Sequence, residues 1–383
     1  MDRQEYEHQC EAVDLRGRGD ALFPVAARLR SLPRRGAHAV VVNGSESEPA
    51  SFKDRTLLRR VPHIVLDGAL GIAAAVRARQ VVVAVHDSVS AESLRWAIAE
   101  RPDAARVQVS ETAGSFVAGD ARAVVRSLGG GPVASPGRRT PSTLRGLHGR
   151  PTFVSNPETF AQLAVLAGRG IQAYASVGLA ADPGTLLVTL GGAVSNPCVA
   201  EVPHGTPLSV LLRLAGVGFR AGVLLGGYHG AWWAGGDVPV AHEALRAHGA
   251  TLGAGIMLVL DDRTCPIGEL YRVSAWLAAQ SVRQCGPCMF GLPAIADDLR
   301  CLAGGEMTDW TALERHLAVV PRRGACAHPD GAVRFVASGL RAFWSDVETH
   351  RDRGHCGRPL LGELPLDDSL VVGSEPGDVG RLR

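Results

Sequence analysis

The chain is predicted to fold as an α/β N-terminal domain, a small β-grasp module and a C-terminal four-helix bundle. Three observations carry that division. Ala39–Val42 and Val81–Val85 are β-branched runs of buried-strand type, bracketing an Ala/Leu/Ile-rich stretch from Pro62 to Arg79. After Gly184 come two strand-type runs, a short helix and a returning strand. From Val273 to Val347, apolar residues recur four times at helical spacing.

In the first part, strand, helix and strand within about 45 residues imply a right-handed crossover and a parallel pair. A helix is expected over Val25–Leu32, and Gly129 to Pro151 reads as a long loop rich in Gly, Pro, Ser and Arg. In the second part, Thr185–Leu190 and Val199–Val202 are strands separated by the Asn196-Pro197 turn signal. A helix at Pro207–Leu214 and a strand at Gly222–Gly227 complete a β-grasp-like order. In the third part the stripes are Val273/Trp276/Leu277/Gln280, Leu292/Ile295/Ala296/Leu299, Trp310/Leu313/Leu317/Val320 and Val333/Val336/Leu340/Phe343/Val347. The boundaries expected are 1–180, 181–262 and 263–356, with a loosely docked tail at 357–383.

With 383 residues, 46% hydrophobic and 20% charged, the chain has material for two or three globular domains. Forty basic against 38 acidic residues, a formal charge of +2, give no electrostatic case for nucleic acid. Lys53 is the only lysine. The N-terminus lacks the apolar core of a secretory signal, and no apolar run approaches the roughly 18–20 residues that span a bilayer. A cytoplasmic protein without a direct membrane span is expected, and its eight cysteines read as thiols or metal ligands.

Cys285-Gly286-Pro287-Cys288 is the sharpest local signal and admits three chemistries. A thioredoxin-like dithiol needs a preceding central strand, where this sequence has an amphipathic stretch. A zinc site can be drawn from Cys285, Cys288, Cys326 and His328. An iron–sulfur cluster can be held by the CxxC pair and Cys326, 38 residues beyond Cys288 (326 − 288). Cys356, just past the last helix, is the candidate fourth ligand. Cys10, Cys198 and Cys301 read as small core residues.

Two polar motifs mark the first part. Arg16 to Phe23 is a Gly-rich, doubly basic loop before a helix, the composition of an anion site. Asn43 to Pro49 follows a strand directly, where α/β folds place ligand-binding side chains. Together they favour a nucleotide cofactor.

The ordered set resembles the NADH-binding flavoprotein subunit of respiratory complex I and its relatives in NAD-linked hydrogenases and formate dehydrogenases. Asp14–Gly19 with Phe23-Pro24 matches that family's flavin phosphate loop, and Asn43–Glu48 with Phe52–Arg55 its flavin and nucleotide segment. Phe116–Asp120, Gly149–Thr152 with Asn156–Thr159, and Gln280–Cys288 with Cys326 match further cofactor-facing segments. The resemblance spans nearly all of residues 14–356. It implies an NADH-dependent oxidoreductase passing a hydride to FMN, then single electrons to a 4Fe–4S cluster and on to a ferredoxin or partner subunit.

Carried across, Gly17, Arg18, Gly19 and Arg28 hold the FMN phosphate, while Phe23 is an aromatic wall. Asn43, Glu46 and Asn156 orient the ribityl chain and ring. Glu48, Gly119 and Asp120 belong to the nucleotide pocket, and Cys285, Cys288 and Cys326 to the cluster, with Cys356 as the fourth ligand offered by its place after the last helix. Departures are Asp20 and Leu22 for glycines, Arg28 for lysine, Ser45 and Ala121 for carboxylates, and Val282 for the first cluster cysteine. Those departures keep two rivals open: a non-catalytic docking scaffold on the same fold, and a zinc-stabilised binding protein.

Overall fold

A computed structural model describes residues 1–19, 22–112, 114–137, 140–218, 220, 222–306 and 309–366. Asp20, and the tail from 367 to 383, lie outside the described residues. Contacts group the chain into two compact units. One holds Met1–Ser47, Ser51–Val188 and Val199–Thr206; the other holds Glu48–Ala50, Thr189–Cys198 and Pro207–Arg383.

The first unit runs α1 (Arg3–Ala12), α2 (Val25–Arg30), β1 (Ala39–Gly44), α3 (Lys53–Arg60), α4 (Pro62–Ala75), β2 (Gln80–Val85) and α5 (Ser88–Ala99). Then come β3 (Val107–Glu111), α6 (Ala121–Leu128), β4 (Thr152–Ser155) and α7 (Pro157–Ala175). Its sheet has the order β3-β2-β1-β4, and every pairing is parallel. The expected β1–β2 pair forms, with Val40 opposite Val81. Valine runs suit strands buried on both faces, and here Val40 and Val42 pack on one side while Val41 packs on the other. The chain steps from β1 through β2 to β3 and then returns to the opposite side of β1. That reversal opens a crevice beyond the carboxyl ends of β1 and β4.

A tight helix pair closes one face of this sheet. A Cβ on Gly68 of α4 would lie 1.9 Å from the Phe160 carbonyl oxygen of α7, so only glycine lets the two helices approach. Two short strands, β5 (Gly178–Leu179) and β6 (Asp182–Pro183), follow α7 as an antiparallel pair.

The next strands are β7 (Thr185–Gly192), β8 (Cys198–Pro203), β9 (Gly222–Leu225), β10 (Ala231–Trp233) and β11 (Ile256–Leu260), in the order β10-β9-β11-β7-β8. Helices α8 (Leu208–Leu214) and α9 (His242–Ala247) interrupt them. β11 is parallel to β7 and antiparallel to β9. It occupies a central place in the sheet, and with β10 enlarges the expected module. β7 begins in the first unit and ends in the second.

The helical region is α10 (Pro266–Ala279), a π-helical turn at Pro287–Gly291, α11 (Leu292–Ala303), α12 (Trp310–Val319), α13 (His328–Ala342) and α14 (Trp344–Arg353). The stripe expected as one last helix is therefore two, divided at Phe343 (φ −112°, ψ 34°). Its apolar spacing carries across the break because Phe343 and Val347 are both buried. The first residues of the tail are held firmly rather than loosely. Arg272 donates to the Leu364 carbonyl, Glu363 N–H to Glu269 at 2.8 Å, and Cys265 N–H to the Pro359 carbonyl at 2.7 Å. Among the described residues no helix is long and apolar enough to cross a membrane.

One ionic network anchors the first unit. Lys53, 1% exposed, sits with its ammonium 2.9 Å from Asp54 and 3.0 Å from Glu158. Glu46 accepts from Ser51 Oγ and from the backbone N–H groups of Asp54 (2.9 Å) and Arg55 (2.8 Å), and pairs with the Arg55 guanidinium at 3.0 Å. Burial alone would lower the Lys53 pKa, but Asp54, Glu158 and Glu46 outweigh it and raise it. Three carboxylates face two cations. Burial, opposed by Lys53 and reinforced by Glu46 and Glu158, pushes the Asp54 carboxyl up to about 6.

Truncating Lys53 leaves buried carboxylates unpaired. Lys53→Met is expected to cost about 3–5 kcal/mol in urea unfolding. Arg95→Met, which breaks an exposed pair with Glu111, costs under about 1 kcal/mol. Because the folded pKa of Asp54 is raised, the stability its proton contributes is complete below about pH 4 and lost as pH rises through about 6. Asp54→Asn should abolish that downward limb in a pH series of unfolding midpoints, and an unchanged limb would assign it to another group.

Candidate functional site

The crevice at the ends of β1 and β4 collects most of the predicted polar residues. Asn43 lies near the end of β1, and its Nδ2 donates to the Gly119 carbonyl at 2.9 Å while its Oδ1 accepts from Ser45 N–H. Gly119 has to be glycine there, since a Cβ would come within 2.2 Å of Ser47 Oγ. Asp120 follows and caps α6, accepting from the N–H groups of Arg122 and Ala123. Asn156, past the end of β4, caps α7 through Thr159 N–H and donates Nδ2 to the Arg18 carbonyl at 2.9 Å. Arg18 N–H in turn donates to Thr159 Oγ1. The Gly-rich loop is thus tied over the N-terminus of α7.

What that loop leaves open to an anion is the backbone at Gly19. Gly17 N–H is used inside the loop, on the Phe23 carbonyl at 3.0 Å. Gly19 borders open space, with nothing within 4 Å of where a Cβ would be. Leu22 holds φ +44°, a conformation glycine adopts without strain, which accounts for a glycine being usual at that place. Phe23 is 45% exposed at the loop's end.

Both arginines expected at the phosphate are turned elsewhere. Arg18 is 6% exposed, and its guanidinium meets His204 Nε2 at 2.7 Å and the Thr185 carbonyl at 3.0 Å. Asp182 lies 3.1 Å from His204 Nδ1, so aspartate, imidazole and guanidinium form a chain. Arg28 donates to the Val154 carbonyl and stacks 5.5 Å from the Phe23 ring centroid, and burial lowers its pKa. Glu46, expected to orient the flavin, spends its oxygens on the start of α3 as described. A carboxylate satisfied by backbone N–H groups positions the loop rather than a ligand. Ser45 is buried, with its hydroxyl 2.8 Å from Thr112 Oγ1.

Glu48 belongs to the second unit. Its carboxylate oxygens both lie 3.3 Å from the Tyr228 backbone nitrogen, and a Cβ on Gly227 would approach one of them to 2.9 Å. Tyr228 is fully enclosed, and burial followed by Glu48 raises its hydroxyl well above its usual range.

The cysteines fall into two groups. In the first, the N–H groups of Cys288 and Met289 both donate to the Cys285 carbonyl, at 3.1 and 3.0 Å, wrapping the CxxC turn. A π-helical turn follows, a feature common at functional sites. Burial, then Cys285 and Cys326, pushes the Cys288 thiol up to about 12, so the sulfurs of Cys285 and Cys326 both neighbour that of Cys288. They fit three corners of a metal cluster. His328 does not complete a zinc set with them. Its Nδ1 meets His229 Nε2 at 3.0 Å and its Nε2 the Leu277 carbonyl at 2.9 Å, and burial with His229 pushes it down to about 3.

Cys356 joins the second group instead of the first. Its sulfur is hydrogen-bonded to Cys265 and His350, which hold it as a thiolate at about 4. The turn at Gly354 (φ +79°) ends α14 and carries Cys356 toward the N-cap of α10. Spacing along the chain offers no signal for this, since Cys265 and Cys356 are 91 residues apart (356 − 265).

Comparison with known proteins identifies the family. The family described as the Nuo51 FMN-binding domain matches residues 10–165, and the NADH-ubiquinone oxidoreductase-F iron-sulfur binding region matches residues 269–350. The F subunit of the NADH-quinone oxidoreductase of Mycobacterium tuberculosis (strain ATCC 25618 / H37Rv) is 31% identical over 94% of this chain and 86% of its own. Its counterpart from Escherichia coli (strain K12) is 28% identical over 90% and 84%. A chain of the NAD+-reducing [NiFe]-hydrogenase in the H2-reduced state superposes with a TM-score of 0.83 at 26% identity, covering 91% of this chain. The present chain spans 63% of that hydrogenase chain's length. With 31% identity across most of both chains and both family regions matched in order, the chain belongs to the family of NADH-quinone oxidoreductase F subunits.

Proposed function

We propose that this chain takes electrons from NADH and passes them singly to a ferredoxin or to another subunit of a larger assembly. It is an oxidoreductase of the NADH dehydrogenase class that uses FMN and a 4Fe–4S cluster. The observation that carries this is the Gly17–Gly19 loop, bonded through Asn156 and Thr159 above the β1/β4 crevice. FMN, when bound, exchanges electron pairs with a nicotinamide and single electrons with an iron–sulfur centre.

The chain's own residues divide the remaining work. The backbone at Gly19, which borders open space, and the positive end of the α7 dipole attract the flavin phosphate. Asn43 and Asn156 hold the crevice walls in register, and Phe23 offers an aromatic face beside it. Arg18, Arg28 and Glu46 act as positioning residues beneath. Gly119 and Asp120 serve the nucleotide. Cys285, Cys288 and Cys326 hold the cluster, and exposed Met289 and Phe290 give apolar surface next to it for the electron acceptor. Strands β7, β8 and β9 with α8 supply the β-grasp module, and α10 to α14 the helical cluster-binding domain. The cytoplasm suits this chemistry.

The visible spectrum of anaerobically purified protein tests this. A flavin band over broad iron–sulfide absorption is expected, and a colourless protein free of flavin and iron would remove the redox reading. Asn156→Ala should lose flavin while destabilising the fold by only about 1 kcal/mol, the cost of a helix cap. Cys285→Ala should lose the iron, whereas Cys356→Ala should keep it; equal losses would restore Cys356 to the cluster.

A further inference from the structure

Cys265, His350 and Cys356 carry none of the roles assigned under the proposed function. We propose that they form a second metal site, for zinc, that fastens the tail to the helical region. Both sulfurs and a ring nitrogen of His350 lie within 4.8 Å of one another. Cys265 Sγ is 3.3 Å from His350 Nε2. Tetrahedral zinc takes sulfur at about 2.3 Å and nitrogen at about 2.0–2.1 Å, which sets its ligands roughly 3.3–3.8 Å apart. The triad is close to the spacing of one coordination sphere before any cation is added.

The surroundings suit a cation of that size. His350 is 3% and Cys265 6% exposed, beside a cavity of about 20 Å³ whose lining also includes His355, Arg358 and Leu360. The buried Nδ1 of His350 has no hydrogen-bond partner among the described residues. Gly268 N–H donates to Cys265 Sγ at 3.3 Å, but the hydrogen bond with Cys356 and burial push the Cys265 thiol up, so a metal binding there would displace its proton. Arg358 would repel a cation, but its guanidinium is bound to Asp346 and to the Asp262 carbonyl. Two thiolates balance the charge of Zn²⁺, and an S₂N donor set selects it over oxygen-seeking ions. Exposed His355 or a water at the cavity mouth takes the fourth position.

Such a site would join three distant pieces of chain: the start of α10, the last turn of α14 and the segment after Gly354. Backbone bonds from that segment to the 264–269 region already draw it there, through Thr264 Oγ1, Cys265 N–H and Glu269. A metal would lock the same contacts.

The test is metal analysis of the full-length chain purified without oxygen, with zinc and iron counted separately. About one zinc per chain is expected. Cys265→Ser and Cys356→Ser should each weaken zinc binding by more than about tenfold while keeping iron, and Cys285→Ser should do the reverse. Should those variants fail to fold, cobalt added to the wild-type chain reads the site directly, through intense tetrahedral bands with sulfur-to-cobalt charge transfer. Zinc-free wild type after growth with added zinc would overturn the proposal. So would zinc lost with Cys285→Ser rather than Cys265→Ser, or a Cys265–Cys356 disulfide in the anaerobic protein.

Discussion

The buried ammonium of Lys53 is the constraint on which the first unit depends. All other 39 basic residues (40 − 1) are arginine, so the one lysine stands where a guanidinium would not serve. A compact ammonium on a long stem can sit between Asp54 and Glu158 in a space almost closed to solvent. Its partners belong to the first turns of α3 and α7, the helices that follow the ends of β1 and β4. Glu158 also accepts the Leu187 N–H at 2.8 Å, extending the tie to the start of β7. One charge therefore fixes the positions from which the crevice is built.

A consequence is that the crevice is held by bonds made before any ligand arrives. Asn43, Glu46, Asp120 and Asn156 all spend acceptors on backbone N–H groups of neighbouring turns. Polar groups so engaged cannot swing toward a ligand, but they keep the backbone around it in one shape. That is the logic of preorganisation: ordering is completed on folding, and binding loses little entropy. The loop's glycines then act by leaving backbone accessible, as at Gly19, rather than by supplying flexibility.

The parts of the fold legible in the sequence are those whose pattern is local. Strands β1 and β2 stand out because Ala39–Val42 and Val81–Val85 are unbroken apolar runs between clear breaks. Strand β3 has only Val107 fully buried, and β4 is four residues long, so neither rises above its surroundings. Ile256–Leu260 is apolar throughout, and periodicity cannot separate such a short strand from a helical turn. The α13/α14 break is hidden because the stripe stays in phase across Phe343. In the site, residue types are legible and their directions are not. Arg18 and Arg28 lie in and just after a basic loop by sequence, yet each finds an interior carbonyl that no spacing announces.

The sulfur chemistry shows how far a local motif reaches. Cys285 and Cys288 are brought together by one turn, so the sequence alone places them, and Cys326 arrives just before α13. Val282, which stands where the family resemblance implies a further cysteine, offers neither charge nor a lone pair. A cluster bound by three thiolates carries one negative charge fewer than one bound by four, and lower negative charge raises a reduction potential. Cys356 cannot restore that charge from its place beside Cys265 and His350, where two other groups already hold its sulfur. A cluster held by Cys285, Cys288 and Cys326 alone would therefore be a better electron acceptor than one held by four thiolates, with one iron left to a ligand other than the CxxC turn or Cys326.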